Sequence, residues 1–199
     1  MKTKNSIVIV FSLLTLLSCR KDVEQEMTGF QYFDIQEVGA SSEPPLVAVS
    51  DEGYLEYGSS VAYVDMQGDT VIPFGKYAYF GADSLIYYAT VLEHPNDSTW
   101  GRKLAIDKHQ NILFDLMMFD NGPDYFSEGF TRVLRNGKMG FANKYGKVVI
   151  PCIYDFAKPF ENGKAEVTFD AKEVVDLEEH RRVESDEWFV IDKKGERIE

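Results

Sequence analysis

The chain has 199 residues, which is long enough for one domain of ordinary size. Its 44% hydrophobic and 14% aromatic content favours a folded core over a disordered chain. The formal net charge of −12 predicts a surface that repels phosphate backbones, which argues against nucleic acid as a partner.

The first 18 residues have the pattern of an export signal. Lys2 and Lys4 precede an apolar run, residues 7–17, that is too short to span a bilayer. The motif Leu16-Leu17-Ser18-Cys19 then resembles a bacterial lipobox, in which the Cys carries fatty acyl chains such as palmitate and starts the mature protein. We therefore expect Cys19 to anchor the chain in a lipid bilayer, since two or three acyl chains give stable attachment. The alternatives are an ordinary secretory signal with Cys19 as a free thiol, or a short membrane anchor.

The residues directly after Cys19 bear on location. No Asp stands beside Cys19 in the manner of an inner-membrane retention signal, and Lys21-Asp22-Val23-Glu24 is similar to the charged export tag of surface lipoproteins in some Gram-negative bacteria. We expect a lipid-anchored protein of a bacterial cell envelope, in the outer membrane and facing either the periplasm or the outside. The alternative is a solvated tether that carries no address.

Residues 19–45 predict an acylated cysteine followed by a flexible tether, because the segment ends in a stretch rich in Gly, Ser and Pro. Within it, the aromatic residues Phe30, Tyr32 and Phe33 favour a first strand over residues 30–35. The folded domain is expected over residues 46–199.

A first repeated unit starts with a short apolar strand at Leu46. A second strand ends at Asp65, a turn contains Gly68, and Val71-Ile72-Pro73 forms a third strand. The second unit is a weaker copy: residues 103–107 align with the strand ending at Asp65, and Ile112-Leu113-Phe114 aligns with Val71-Ile72-Pro73.

The third unit, residues 127–160, has the clearest pattern. Asn136-Gly137 supplies the two positive-φ positions of a type I′ turn, so residues 131–135 should pair with residues 138–142. A turn at residues 143–146 leads to a third strand, which Pro151 should end because proline has no N–H. The unit therefore predicts a β-meander.

The string GKMGFANKYGKVVIPCIYDFAKPFENGKAEV, which starts at Gly137, resembles a WG-type (KWG) repeat. That pattern has a Lys-aromatic-Gly-Phe strand, a Lys-x-Gly-Lys turn, a Val-Ile-Pro strand and a Phe-Ser-Glu-Gly exit. This chain departs from it at Met139, where the family usually has Trp, and at Cys152. The resemblance implies a repeat-containing bacterial lipoprotein with an all-β fold. It implies little about activity, because function in the family is mostly unassigned.

A fourth half-unit, residues 188–196, ends the chain. The equivalent turn positions of the four units are Asp65, Asp107, Asn143 and Asp192, separated by 42, 36 and 49 residues. This irregular period is typical of a repeat array with loop insertions, in which each unit covers its neighbour's apolar face. We predict an all-β, irregular array of antiparallel hairpin and meander repeats, since a closed propeller would need a longer chain.

Two polar insertions interrupt this array. Residues 94–99 predict a turn. Residues 170–187 predict either a protruding β-hairpin or one short helix, and their periodicity does not decide between the two.

Several arrangements that could support catalysis or metal binding are incomplete. No Ser lies in a Gly-x-Ser-x-Gly elbow and no Ser or Cys has a base placed near it, so we expect no enzyme activity and no cofactor. Three groups of potential metal ligands lack the spacing of zinc or EF-hand sites, so no metal is expected. These groups are Glu93-His94 with Asp97, Glu178-Glu179-His180, and residues 120–124. Cys152 should be a small buried hydrophobe, since no charged neighbour lowers its pKa.

Aromatic residues crowd the first unit. Exposed Tyr or Trp side chains hold sugars or peptides in many surface proteins, which gives five candidate binding residues. They are Tyr54, Tyr57, Tyr77, Tyr79 and Trp100. The alternative is that they form core and cross-strand pairs. Trp100 and Trp188 are expected to be half exposed, although Trp188 would be core if it mirrors Met139.

These observations predict a non-catalytic module that binds an unknown envelope protein. A carbohydrate- or peptidoglycan-binding module is the first alternative, and an envelope hydrolase is the second. A sugar-binding protein should expose a row of aromatics with facing amides, whereas a protein-binding one should expose an apolar patch. A hydrolase needs a pocket that holds titratable groups with shifted pKa values.

Overall fold

The computed structural model describes residues 30–35, 42–94, 101–119, 121–175 and 181–198. Its strands are β1 Leu46–Ser50, β2 Ser60–Val64, β3 Thr70–Tyr79, β4 Ser84–Leu85, β5 Ala89–Glu93, β6 Lys103–Ile106, β7 Ile112–Leu116, β8 Met118–Phe119, β9 Gly122–Pro123, β10 Phe130–Arg135, β11 Lys138–Asn143, β12 Val148–Tyr154, β13 Phe156–Ala157, β14 Lys164–Thr168, β15 Lys172–Val175, β16 Arg181–Glu184 and β17 Phe189–Asp192. No helix in this part of the chain has the length and apolar character needed to cross a bilayer.

Ten strands form one continuous sheet in the order β12-β11-β10-β7-β6-β5-β3-β2-β1-β4. Three consecutive meanders supply nine of them: β1–β3 (unit 1), β5–β7 (unit 2) and β10–β12 (unit 3). Strands β14 and β17 form unit 4 within a second sheet, β13-β14-β17. All strand pairs are antiparallel, so the predicted all-β array of hairpin and meander repeats is confirmed.

The four equivalent turn residues share one backbone setting. In each turn, the side-chain oxygen of the first residue accepts hydrogen bonds from the backbone N–H of the third and fifth residues, at 2.8–3.1 Å. The fourth residue has a positive φ and is Gly in three units. In unit 2 this residue is Gln110, with φ 64°. The turns at Asp65, Asp107, Asn143 and Asp192 are therefore the same structure.

Strand register repeats as well. In each unit, the residue just before the turn residue pairs with the residue five positions after the turn residue. Val64 thus pairs with Thr70 around Asp65, and Ala142 pairs with Val148 around Asn143. Beyond this pair, units 1 to 3 share a one-residue bulge. The register corrects one alignment, because Leu113-Phe114-Asp115, one residue later than predicted, occupies the Val-Ile-Pro position of unit 2.

The prediction that Pro151 ends its strand is wrong. Strand β12 continues through it to Tyr154, and residues 151–153 face Gly140 alone in a wide bulge. The absent N–H of proline costs nothing where the ladder is already interrupted. Unit 1 has the same arrangement, with residues 73–76 opposite Ala62.

Unit 2 has no proline at this position and no wide bulge. Asp115 pairs directly with Leu104 on one side and with Leu134 of unit 3 on the other. In units 1 and 3, the pairing with the next unit lies beyond the bulge, as in Ala78 with Leu92 and Ala157 with Val167.

The core runs along the array rather than lying within single units. One buried cluster joins units 1 and 2, one joins units 2 and 3, and one joins units 3 and 4. Polar contacts reinforce the last junction: Glu128 accepts from the Gly163 N–H at 3.0 Å and pairs with Lys193 at 2.9 Å. Each unit therefore depends on its neighbour for burial, as a repeat array requires.

The insertion at residues 170–187 contains a β-hairpin, which decides between the two predicted forms. Its strands β15 and β16 pair antiparallel from Lys172 with Glu184 to Val175 with Arg181. At its base, Asp170 accepts hydrogen bonds from the hydroxyls of Thr168 and Ser185. These hydrogen bonds, above all the one from Ser185, lower the pKa of Asp170 to about 2.

Residues 30–35 do not form the predicted strand and, although placed in the tether, pack against the sheet. The Phe33 N–H donates to the Ile112 carbonyl at 2.9 Å, and the Tyr32 hydroxyl donates to Asp115. The segment covers the edge of β7, since the pairing of β10 with β7 is confined to Asp115 and Leu116.

Two arginines hold this segment in place. The Arg102 guanidinium lies 3.5 Å from the centre of the Phe30 ring and pairs with Asp115 at 2.6 Å. Arg135 donates to the Phe33 carbonyl at 2.9 Å.

Candidate functional site

The structure separates the predicted binding residues into two groups. Tyr54 and Tyr57 are 57% and 61% exposed, whereas Tyr77 and Tyr79 are 4% and 9% exposed. Tyr77 is therefore a core residue rather than a binding residue, and its burial raises its pKa to about 12. It pairs with Val61 on one side and with Glu93 on the other, in the middle of the sheet. For Tyr77, the alternative of a core residue in cross-strand pairs is therefore correct. Trp100 lies outside the described residues.

Tyr54 and Tyr79 come together in one open cavity of about 550 Å³, which we call the unit-1 cleft. The loop after β1 and the segment after β3 form its walls. Its lining residues are Ala48, Val49, Ser50, Gly53, Tyr54, Leu55, Tyr79 and Asp83. The Tyr79 hydroxyl donates to Asp83, and this bond, followed by burial, raises the pKa of Tyr79 to about 12.

Tyr57 stands beside the cleft and supports it. Its ring lies 5.9 Å from that of Tyr79 and meets Phe80 edge to face at 5.1 Å. Its hydroxyl covers Gly81, where a Cβ atom would lie only 2.8 Å away. Tyr57 is thus held in one orientation by aromatic packing while most of its surface faces solvent.

The electrostatics of this region are one-sided. Residues 42–101 contain nine Asp or Glu and one Lys, whereas residues 127–172 contain five Asp or Glu and eight Lys or Arg. The four acids on the loops of the cleft are Asp51, Glu52, Glu56 and Asp83. The charges of Glu52 and Glu56 raise the pKa of Tyr54 above its usual value. The cleft therefore favours neutral or cationic ligands over anions.

A second aromatic surface, which the sequence did not single out, lies where unit 2 leads into unit 3. Phe119, Tyr125 and Phe126 are 53%, 51% and 45% exposed, and we call them the exit patch. Phe119 and Tyr125 meet edge to face at 5.4 Å. The available signal was three aromatics flanking the Asn121-Gly122-Pro123 turn, a stretch that appears in the sequence analysis only among the potential metal ligands.

A second cavity, of about 450 Å³, lies at the start of unit 4 and is lined mainly by charged side chains. Lys158 pairs there with Glu166 and lies 4.9 Å from the centre of the Trp188 ring. Trp188 is half-buried, as predicted, whereas its counterpart Met139 is buried at 6% exposure.

Of the groups considered for reactivity, the structure describes Cys152 and part of the potential metal ligands. Across the residues that the structure describes, no three His, Cys, Asp or Glu side chains are arranged to hold a metal ion. Asp97, Asp120 and residues 178–180 lie outside that part of the chain. Cys152 is half-buried with its Sγ 3.9 Å from the Val133 carbonyl, and burial raises its pKa to about 11.

Comparison with known proteins identifies one segment. Residues 139–172 match the family model of the WG containing repeat, which covers most of unit 3, strand β14 of unit 4 and the start of the hairpin insertion. No curated protein and no solved structure matches the chain. The predicted resemblance to this repeat is confirmed. Cys19 and the rest of the predicted export signal lie outside the described residues.

Proposed function

Since this is a WG-repeat-containing β protein, we propose that its repeat domain is a non-catalytic module that binds another protein. The observation that carries the proposal is the unit-1 cleft, an open aromatic cavity next to the exposed ring of Tyr57. Repeat arrays commonly offer such extended binding surfaces.

The lining of the cleft argues against hydrolysis. Its acidic side chain is Asp83, which accepts the Tyr79 hydroxyl, and no His or Lys lies among the lining residues. Ser50 accepts a hydrogen bond from the Glu52 N–H at 3.1 Å and has no base beside it. A nucleophile needs such a base to be activated.

The cleft also fits a protein better than a sugar. Burial of Tyr77 and Tyr79 leaves two exposed tyrosines rather than a row, and no Asn or Gln lines the cavity. Sugar hydroxyls are commonly held by planar amides beside an aromatic platform. The exit patch does combine exposed rings with Asn121, which makes carbohydrate binding at that patch the second candidate.

We further propose that the protein is attached through acylated Cys19 to the outer membrane of a bacterial envelope. The support is the sequence pattern of residues 1–24. The test is Cys19→Ala followed by fractionation. The variant should leave the membrane fraction, and a variant that still sediments with membranes would contradict lipidation at this position.

A photo-crosslinking residue in place of Tyr54 tests protein binding in intact cells. We expect a discrete crosslinked protein partner from position 54. The matched control is the same replacement at Met66, which is 64% exposed in the turn of the same unit but does not line the cleft. Equal products from both positions, or none from position 54, would contradict the proposal. Retention of the purified protein on polysaccharide, lost on Phe119→Ala, would support the second candidate instead.

A further inference from the structure

We propose that the unit-1 cleft binds a lysine- or arginine-bearing peptide segment of its partner. This inference rests on the proposed function, since it names the class of partner for the same cleft.

The first argument is unbalanced charge. Several acids elsewhere in the described chain are paired with bases, as in Arg102 with Asp115 and Arg132 with Asp124. In contrast, none of the four cleft acids forms an ion pair with a described residue: Asp51, Glu52, Glu56 and Asp83. The nearest base in sequence to these loops is Lys76, which donates to Gln110 at 2.5 Å instead. A cationic side chain from another protein would balance this field, and attraction would also speed its approach.

The second argument is the geometry of the acceptor. Asp83 is exposed at the wall of the cleft and receives one hydrogen bond from Tyr79. A carboxylate has about four acceptor positions on its two oxygens, so it retains capacity for an ammonium or guanidinium group. The Tyr79 hydroxyl fixes the carboxylate before the ligand arrives, which lowers the entropy lost on binding.

The third argument is the aromatic wall. Tyr54 lines the cleft with 57% of its surface exposed, and Tyr57 stands beside it. Lysine and arginine bind the faces of such rings through cation–π contacts, and their methylene chains cover the apolar surface. Leu55 and Val49 supply such surface within the same cavity.

The neutral-sugar and acidic-peptide alternatives fit less well. A neutral sugar has no net charge for the four carboxylates on the surrounding loops to attract, and the lining offers no amide. An acidic segment would meet repulsion from all of them.

Fluorescence anisotropy with the full chain tests the inference. The probe is a fluorescein-labelled Gly-Lys-Gly-Lys-Gly peptide, compared with the same peptide carrying Glu in place of Lys. We expect binding of the lysine peptide alone, weakened by added salt. Asp83→Asn and Tyr54→Ala should each reduce its affinity about three- to tenfold, as expected for the loss of one charge-assisted or cation–π contact.

Asp69→Asn is the matched control, because it removes one acid from an exposed turn of unit 1 without touching the cleft. It should change affinity less than twofold. An equal effect of Asp69→Asn would mean that net charge alone attracts the peptide and would overturn the inference. So would equal binding of the glutamate peptide, or no binding of the lysine peptide.

The two proposals fail separately. If position 54 crosslinks a partner in cells but the lysine peptide does not bind, protein binding stands and the cationic class is wrong. If neither occurs, both are wrong.

Discussion

Gly140→Ala is the substitution that tests the repeat geometry most sharply. Gly140 faces the bulge at residues 151–153, and an added Cβ would lie 2.5 Å from the Ile150 carbonyl oxygen. It would also lie 2.7 Å from the Cys152 nitrogen and 2.7 Å from the Pro151 carbonyl carbon. All three are backbone atoms of one bulge, so no side-chain rotation relieves the clash.

The bulge must therefore move as a unit, and it belongs to the strand that leads into unit 4. Overpacking of a tight core typically costs 1–3 kcal/mol, and a backbone clash belongs at the upper end. We expect Gly140→Ala to lower the free energy of unfolding by about 3 kcal/mol. For a chain of this size that corresponds to a fall in Tm of about 6–12 °C.

Urea unfolding followed by tryptophan fluorescence measures the effect, with Gly137→Ala as the control. Gly137 has φ 75° and nothing within 4 Å of its added Cβ, so its cost is the left-handed backbone alone, about 1–2 kcal/mol. A Gly140→Ala protein that is as stable as the parent, or more stable than Gly137→Ala, would refute the account of the bulge.

Three further predictions concern single interactions. Arg132 and Asp124 form a doubly hydrogen-bonded pair with side chains 6% and 2% exposed, so Arg132→Met should cost about 3–5 kcal/mol in urea unfolding. Adding Asp124→Leu should restore most of the loss, and no recovery would argue against an isolated charge as its cause. Hydrogen bonds from backbone N–H groups, above all that of Glu196, lower the pKa of Asp192. Its charge therefore stabilises the fold at pH values above the ordinary pKa of about 4. This stabilisation is lost as the pH falls through the lower pKa of the folded state. Asp192→Asn, which copies Asn143, should flatten the loss of stability below about pH 4, and an unchanged profile would count against this role. Cys152, with its pKa raised to about 11, should react with a thiol reagent at pH 8 about a hundredfold more slowly in the folded protein than in urea; equal rates would contradict its burial.

The sequence predicted those features that depend on local chemistry. Asn136-Gly137 does form the expected turn, with φ values of 51° and 75°. The four equivalent turns followed from an Asp or Asn that accepts two backbone N–H groups, a preference built into these side chains.

Features set by contacts between units were harder to predict. Unit 2 was aligned one residue too early because Ile112-Leu113 and Leu113-Phe114 resemble the Val-Ile pair equally well. Leu104 marks the correct register, because it is a large residue opposite a straight strand. The equivalent residues of units 1 and 3, Ala62 and Gly140, are small and lie opposite a wide bulge.

The candidate site was only partly visible in the sequence. Tyr54 and Tyr57 could be named, but strand alternation does not predict that Tyr77, Ala78 and Tyr79 are all buried, because it places Ala78 on the opposite face from the two tyrosines. Asp83 was missed because it joins the cleft through the fold of the segment after β3. The docking of residues 30–35 was missed because its acceptor, Asp115, is 83 residues away from Tyr32.

Cross-strand nuclear Overhauser effects at the three unit junctions test the central claim most directly. That claim is that four copies of one unit join edge to edge in an antiparallel array. The account predicts short proton distances between Ala78 and Leu92, between Leu116 and Val133, and between Ala157 and Val167. Signals within each unit but none across any one of these junctions would contradict the continuous array.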